Sequence, residues 1–307
     1  MGLGPAMIKL YLELWQRGLF KNVNAVIELG SQELHIPRAR FEELVQAAGI
    51  SHYTRAQFPH LETWPRQPRC PAKPFYHLLG VDEYACIDLN GQHGALAYDL
   101  NVPLTDTSLY LRYDLVTDFG AAEHCFNIAE TYRTLHRLCR PGGLMVCHQG
   151  VSGGLNGYYG FDLSFFEGFA AANDYRVLFC SYVLLPRGEP VQLDDHHIPL
   201  SRELLDTIDP SKVRDISICY VLQKQGNADF RFPYQGLYLS ASQGHQGYEL
   251  AFLPNPPSRA YVPVSEWRTG ETLRTPVLVR LLLHRARRIL SRLIGRRIRR
   301  VTAGTTA

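Results

Sequence analysis

The sequence predicts an α/β protein in which helices cover both faces of a mostly parallel β-sheet. Short apolar runs of the kind found in buried strands alternate along the chain with segments of helical periodicity. Several of these runs end in glycine or aspartate, residue types that turn the backbone where a strand stops. A repeated strand–helix–strand order builds a parallel sheet through crossover connections.

The predicted strands share a continuous apolar character, and in chain order they cover 24–30, 83–90, 96–99, 113–118, 144–148, 175–185 and 215–224. The apolar residues of four other segments recur at helical spacing, which predicts helices at 6–19, 38–48, 126–139 and 162–173. Gly49 suits the C-terminal cap of the second helix, and Asp162 suits the N-terminal cap of the fourth.

The chain organises around one predicted domain at 21–225, preceded by an N-terminal helix within 1–20. The segment 58–75 holds five prolines, which exclude regular structure over most of its length and predict a long loop or an inserted flap. Residues 226–276 form a predicted irregular extension, and 277–307 a basic amphipathic helix and tail.

Charge is distributed unevenly along the chain. The formal net charge is +3, but residues 274–300 hold ten arginines and no acid, so the remainder, with 22 basic and 29 acidic side chains, carries about −7. An acidic body makes nucleic-acid binding unlikely as its function. The tail at 277–300 fits a helix on an anionic membrane surface, a partner-binding helix, or a solvated helix docked on the body.

Other sequence features predict a cytoplasmic protein, peripheral at most to a membrane. No apolar run reaches the ~20 residues that span a bilayer, and the N-terminus lacks the pattern of a secretory signal. The seven cysteines form no Cys-x-x-Cys pair, which favours reduced thiols and no metal site. The adjacent His196 and His197 are predicted to lie in a solvated loop rather than to bind metal.

Candidate binding residues come at the ends of the predicted strands. Ligands of an open parallel sheet bind beyond the carboxyl ends of its strands. Gly30 would turn the backbone tightly beside a ligand, and Asp88 has the carboxylate that accepts hydrogen bonds from ribose hydroxyls. Asp99 with Leu100 would contact an adenine amino group and its ring, and Asp118 ends the next strand.

A set of motifs follows the strand ends in a consistent order: VIELGSQE (26–33), YACIDLNG (84–91), ALAYDLN (95–101), YDLVTDFGAAEHCFN (113–127) and RPGGLMV (140–146). In these motifs the sequence resembles class I S-adenosylmethionine-dependent methyltransferases, and most closely a bacterial branch with a Gly-x-x-Glu-His-x-Phe-Asn segment after the fourth strand. The resemblance covers about residues 20–185. It implies a Rossmann-like sheet of seven strands with the last antiparallel, and the cofactor over the first and fourth strand ends.

The implied cofactor contacts are Glu28, Gly30 and Ser31 on the methionine and ribose side, Asp88 on the ribose hydroxyls, Asp99 with Leu100 on the adenine, and Asp118 with Phe119 at the methionine end. The sequence departs from the family pattern in two places. Gly30 stands alone where the first motif has two or three glycines, and about 60 residues separate the first two acidic strand ends. The second departure is why 50–75 is taken as an insertion.

Candidate catalytic residues follow the fourth and fifth strands. Methyl transfer to a hydroxyl needs a base near neutral pH, and His124 beside Glu123 is the first candidate and His148 the second. Alternatively, Glu123 and His124 begin the next helix and bond its free amides. Tyr158 and Tyr159 stand in a glycine-rich loop that could form a lid over a substrate.

The sequence therefore predicts methyl transfer from S-adenosylmethionine to a hydroxyl or amine of a small molecule or glycan intermediate. Two alternatives stay open. One is a non-catalytic binding protein of methyltransferase type, which the sparse first glycine motif suggests. The other is a nicotinamide-dependent oxidoreductase, which is disfavoured because Gly-x-Gly-x-x-Gly is absent.

Overall fold

The computed structural model describes residues 2–152, 157–186, 195–198, 200 and 213–233, with the single positions 279, 283 and 286. The predictions made for 234–276 lie outside these residues, and so does the C-terminal helix at 277–307 apart from those single positions.

The described strands are β1 (Gly2–Leu3), β2 (Ala25–Leu29), β3 (Glu33–Leu34), β4 (Glu83–Ile87), β5 (Tyr113–Phe119), β6 (Cys139–Ser152), β7 (Tyr175–Pro186), β8 (His196–Ile198) and β9 (Val213–Lys224). The described α-helices are α1 (Pro5–Gln16), α2 (Arg38–Ala47), α3 (Lys73–Leu78), α4 (Ile128–Leu138) and α5 (Leu163–Ala172). β1 pairs only with β3, and the other strands form the main sheet.

The main sheet has the strand order β4-β2-β5-β6-β9-β7-β8. β2 pairs in parallel with β4 and β5, and β5 pairs in parallel with β6. β9 is antiparallel to both β6 and β7, and β8 adds an antiparallel edge. The chain leaves β2 for β4 on one side and then returns to β5 on the other, so the order reverses between β2 and β5. This Rossmann-like arrangement confirms the predicted mostly parallel α/β fold.

The predicted strand at 96–99 is wrong. Only Leu96 touches the sheet, through an isolated parallel bridge with Ile87. Asp99 Oδ1 accepts hydrogen bonds from both the backbone and the side-chain nitrogen of Asn101, each at 2.9 Å. This local turn gives the backbone amide of Asn101 a side-chain partner in place of a neighbouring strand, so the strand pairing stops after Leu96.

The predicted loop at His196 and His197 is wrong as well, because these residues begin β8. The His197 ring is buried and lies between Ser181 Oγ, 2.7 Å from its Nδ1, and the carbonyl oxygen of Ala6, 2.9 Å from its Nε2. Asp195 Oδ1 accepts a hydrogen bond from Ala6 N at 2.9 Å. The edge strand thus holds the start of α1, a contact between residues distant in sequence.

Two apolar cores lie on opposite faces of the sheet. Adjacent residues of β2 divide between them, with Val26 in the core of α1, α2 and α3 and Ile27 in the core of α4 and α5. Tyr11 of α1 is fully buried in the first core. Phe58 and Leu61, from the segment predicted to be a loop or flap, are also buried there, so this part of the segment packs into the molecule.

Polar side chains fix the ends of several helices. Asp162 Oδ1 accepts hydrogen bonds from the amides of Ser164 and Phe165, as its predicted cap role requires. The buried Lys224 ammonium donates to the carbonyl oxygens of His136 at 2.7 Å and Cys139 at 3.0 Å, where α4 ends. None of the helices described has the length and apolarity to span a bilayer.

Candidate functional site

The carboxyl ends of the parallel strands meet at one edge of the sheet, beside the reversal of strand order. Leu29 at the end of β2 is paired with Ile87 of β4 on one side and with Asp118 of β5 on the other. Phe119, the last residue of β5, is paired with His148 of β6. The segments that follow β2, β4, β5 and β6 therefore surround one region, where ligands of such sheets bind.

The turn after β2 is joined directly to the acid after β4. Gly30 has φ +79°, a left-handed conformation that favours glycine, and its N–H donates to Ile87 O at 2.8 Å. The backbone N–H and the hydroxyl of Ser31 both donate to Asp88 Oδ2 at 2.9 Å, and Asn90 N donates to Asp88 Oδ1 at 3.1 Å. Partial burial opposes ionisation of Asp88, but these hydrogen bonds outweigh it and lower the pKa of the carboxyl.

Glu28 does not face this edge. Its carboxylate is fully buried and accepts hydrogen bonds from the hydroxyls of Tyr76 at 2.7 Å and Tyr84 at 2.6 Å. Burial raises the pKa of Glu28 to about 7, against the opposite effect of the two tyrosine donors. With both oxygens engaged inside the core, the geometry gives no support to the prediction that Glu28 lines a cofactor.

Asp118 and Phe119 also point into the protein. Asp118 Oδ1 accepts hydrogen bonds from Ala121 N at 3.1 Å and Ala122 N at 3.0 Å, while Oδ2 is buried without a well-formed hydrogen bond. Burial raises the pKa of Asp118 to about 6. The Phe119 ring is buried and meets Tyr11 edge to face, with centroids 6.0 Å apart. Both Oδ2 and the Phe119 ring are closed off from solvent, so the geometry gives no support to the prediction that either one contacts the cofactor.

β6 and β5 carry further buried polar atoms that the sequence analysis missed. Gln149 Oε1 and Thr117 Oγ1 are buried and have no hydrogen-bond partner among the described residues; they lie next to Asp118 and Phe119. Polar residues are rare in fully buried strands and usually have a partner, so orphaned atoms at a strand end suggest contact with a ligand or water. A Gln at the end of the apolar run 144–148 was the signal available in the sequence.

His148 lies inside a strand rather than at its end. β6 continues to Ser152 because its pairing with β9 extends to that residue, which corrects the predicted end at His148. Its Nε2 is buried and has no hydrogen-bond partner in the part of the chain that the structure describes, and desolvation lowers the pKa of the ring to about 4. The imidazole is consequently neutral at pH 7 and a weak base.

Glu123 and His124 form a pair in a short 3-10 turn, Ala122–His124, directly after β5. His124 Nε2 lies 3.5 Å from Glu123 Oε1, and the His124 side chain is 38% exposed whereas Glu123 is buried. Burial raises the pKa of Glu123, and the neighbouring His124 opposes that effect. The alternative that the pair caps the next helix is wrong, because α4 begins at Ile128 and Asn127 is its cap.

The loop after β6 packs tightly on this pair. Tyr158 N donates to Glu123 O at 2.7 Å. A Cβ atom on Gly157 would lie 2.5 Å from Glu123 O, so only glycine fits here. Tyr159 Oη donates to the carbonyl oxygen of Phe126 at 2.7 Å. These contacts join the segments after β5 and β6 into one wall of the site.

Asp99 and Leu100 lie beside the first turn of α4, where Thr131 Oγ1 donates to the carbonyl oxygen of Leu100 at 3.3 Å. Asp99 is partly buried, and its turn bonds to Asn101 lower the pKa of the carboxyl. Leu100 packs against the core of α4 and α5. Asn127 N donates to Asn101 Oδ1 at 3.0 Å, which ties this loop to the segment after β5.

Comparisons with known proteins give a likeness of fold only. No family model matches the chain, and no curated protein matches it. Among solved structures, a Burkholderia thailandensis 1,6-didemethyltoxoflavin-N1-methyltransferase, with 1,6-didemethyltoxoflavin and S-adenosylhomocysteine bound, is 11% identical over 71% of this chain and 80% of its own, with a TM-score of 0.35. A SAM-dependent methyltransferase from Archaeoglobus fulgidus is 11% identical over 71% and 94% of the two chains, with a TM-score of 0.36. Similarity at this level does not extend to function.

Proposed function

We propose that this chain is a class I S-adenosylmethionine-dependent methyltransferase that methylates a hydroxyl or amine of a small molecule or glycan intermediate. The observation that carries the proposal is the direct contact between the Gly30–Ser31 turn and the Asp88 carboxylate at the reversal of strand order. A tight glycine turn beside an acid is the arrangement that receives a nucleoside in sheets of this type.

The residues present fit S-adenosylmethionine. Asp88 would accept hydrogen bonds from the ribose hydroxyls, which would replace the one that the Ser31 hydroxyl donates to it now. Gly30 has no side chain that would block close approach of the ligand. Asp99 and Leu100 would face the adenine. Asp118 would lie behind the methionine end, where its buried carboxylate favours a cationic ligand.

The bound cofactor supplies an electrophilic methyl group on a sulfonium centre. The protein's part is to hold the acceptor in line and to take its proton. Glu123 and His124 are the best placed for the proton, because they follow β5 directly and one of them is exposed. His148 is a poorer base, since its pKa of about 4 leaves little affinity for a proton at pH 7.

Thermal shift with S-adenosylhomocysteine and with NAD tests the cofactor class. We expect stabilisation by S-adenosylhomocysteine and none by NAD. Stabilisation by NAD alone would favour the oxidoreductase, and stabilisation by neither would favour the non-catalytic alternative. A screen of small-molecule extracts for label transferred from methyl-labelled cofactor would then identify the acceptor.

We also propose that the arginine-rich tail at 277–300 binds an anionic membrane surface. The apolar residues Val279 and Leu283 are 48% and 58% exposed, and nine arginines lie between 280 and 300. Deletion of 277–307 should abolish sedimentation with anionic vesicles and leave S-adenosylhomocysteine binding intact. Equal sedimentation of both forms would contradict this role.

A further inference from the structure

Two exposed aromatic rings stand beside the Glu123–His124 pair. Phe126 is 71% exposed and Tyr158 is 67% exposed, so the two rings together present an apolar patch to solvent. Their rings meet edge to face, with centroids 5.5 Å apart and an interplanar angle of 86°. This geometry leaves ring surface free for a third ring to stack.

Hydrogen bonds fix the backbone that carries the aromatic pair. Phe126 accepts a hydrogen bond at its carbonyl oxygen from Tyr159, and the Tyr158 amide donates to Glu123 O. The close approach of Gly157 to Glu123 fixes the start of the same loop. A molecule docked on these rings would lie next to the proposed base.

Charge around the site narrows the class of ligand further. The described segments that follow the strands at this edge, 30–37, 88–110, 119–132, 148–152 and 157–162, contain no lysine or arginine and seven acidic residues. Two of these acids, Glu33 and Glu130, form ion pairs with Arg69 and Arg133 from outside the segments. The other five are Asp88, Asp99, Asp106, Glu123 and Asp162. Such a surface repels an anionic ligand, whereas aromatic faces and carboxylates both attract a cation.

From these observations we infer that the acceptor is a planar aromatic molecule, a phenol or aromatic amine, that is neutral or positively charged. Its ring docks on Phe126 and Tyr158, with the nucleophile toward Glu123 and His124. The inference rests on the proposed function and specifies the substrate class of that same site. The same charges disfavour phosphorylated and carboxylated acceptors.

Three matched probes test this substrate class. Tyramine carries a phenol and an ammonium group, 4-(2-aminoethyl)cyclohexanol is its saturated counterpart, and 4-hydroxyphenylacetate replaces the cation by an anion. Binding is measured by ligand-detected NMR and calorimetry on the full chain saturated with S-adenosylhomocysteine. We expect tyramine to bind on the order of ten-fold more tightly than the saturated probe, since stacking and cation–π contacts have about that strength, and the anion not to bind.

Variants locate the binding. Replacing both Phe126 and Tyr158 by alanine should weaken tyramine binding about ten-fold and leave S-adenosylhomocysteine affinity unchanged. Phe232→Ala is the matched control, because Phe232 is also an exposed aromatic residue, 49% exposed, but contacts Arg133 instead. This control should behave as the unaltered chain.

Failure of the inference can be told from failure of the proposed function. If S-adenosylhomocysteine binds but tyramine does not, or binds no better than the saturated probe, the aromatic acceptor is wrong and the cofactor assignment stands. Equal loss of tyramine binding in the Phe232 control would also overturn the docking position. If S-adenosylhomocysteine itself fails to bind, the proposed function is wrong, and the acceptor class falls with it.

Discussion

Replacing the buried Glu28 by glutamine should change how stability depends on pH. Burial raises the pKa of Glu28 from 4.5 to about 7 in the folded chain. Between these values the folded form holds a proton that the unfolded form has released. The stabilisation that comes from protonated Glu28 is therefore fully present below pH 4.5 and is lost as pH rises through 7. A shift of about 2.5 pKa units corresponds to about 3 kcal/mol.

Glutamine keeps the shape of the side chain but cannot ionise. Tyr76 and Tyr84 both donate to Glu28, and in the Glu28→Gln variant one of these hydroxyls can turn to accept from the new amide. The variant should match the original chain within about 1 kcal/mol at pH 5. At pH 8 it should exceed it by up to about 3 kcal/mol in free energy of unfolding.

Urea unfolding followed by circular dichroism from pH 5 to 8.5 measures this difference. Asp118 and His148 also titrate with shifted pKa values, but they are common to both chains and cancel in the comparison. Glu43→Gln is the control, because Glu43 is 65% exposed. The difference in free energy of unfolding between this variant and the original chain should be the same at pH 5 and pH 8. A Glu28→Gln difference that is equal at pH 5 and pH 8 would refute the reasoning.

Three further changes have definite expected outcomes. Lys224→Met removes the donor to the carbonyl oxygens of His136 and Cys139 and should lower the free energy of unfolding by about 2–3 kcal/mol in urea titrations. An unchanged midpoint would show that the ammonium does not stabilise the end of α4. Asn127→Ala removes the cap of α4 and should cost about 1 kcal/mol in the same assay, with no loss if the cap is unimportant. Gly30→Val forces a β-branched residue to φ +79° and should weaken S-adenosylhomocysteine binding at least about ten-fold; full affinity would show that this turn does not approach the ligand.

The sequence was sufficient to predict the parallel core of the sheet because local patterns determine it. The apolar run before Gly30 and the run before Asp118 each became a strand with its acid or glycine at the carboxyl end. The contact between Ser31 and Asp88 follows from that placement, since parallel neighbours end at the same edge. Residue type and period were enough for these features.

Long-range contacts account for what the sequence could not predict. Glu28 points to the same face of the sheet as Val26, but the hydroxyls that bind its carboxylate come from Tyr76 and Tyr84, which lie about 50 residues away. His197 is buried only because Ser181 and the start of α1 cover it. No local pattern encodes either arrangement, because each depends on which distant segment packs against the residue.

Asp88 is the group that would receive the ribose of the cofactor. Isothermal titration with S-adenosylhomocysteine tests it directly on the unaltered chain, on Asp88→Ala, and on the control Asp82→Ala, an exposed acid just before the amino end of the same strand. A carboxylate that accepts charge-assisted hydrogen bonds contributes about 1.5–3 kcal/mol for each, so Asp88→Ala should raise the dissociation constant at least about ten-fold and the control should not. Saturable binding of equal strength to all three chains would contradict the assignment.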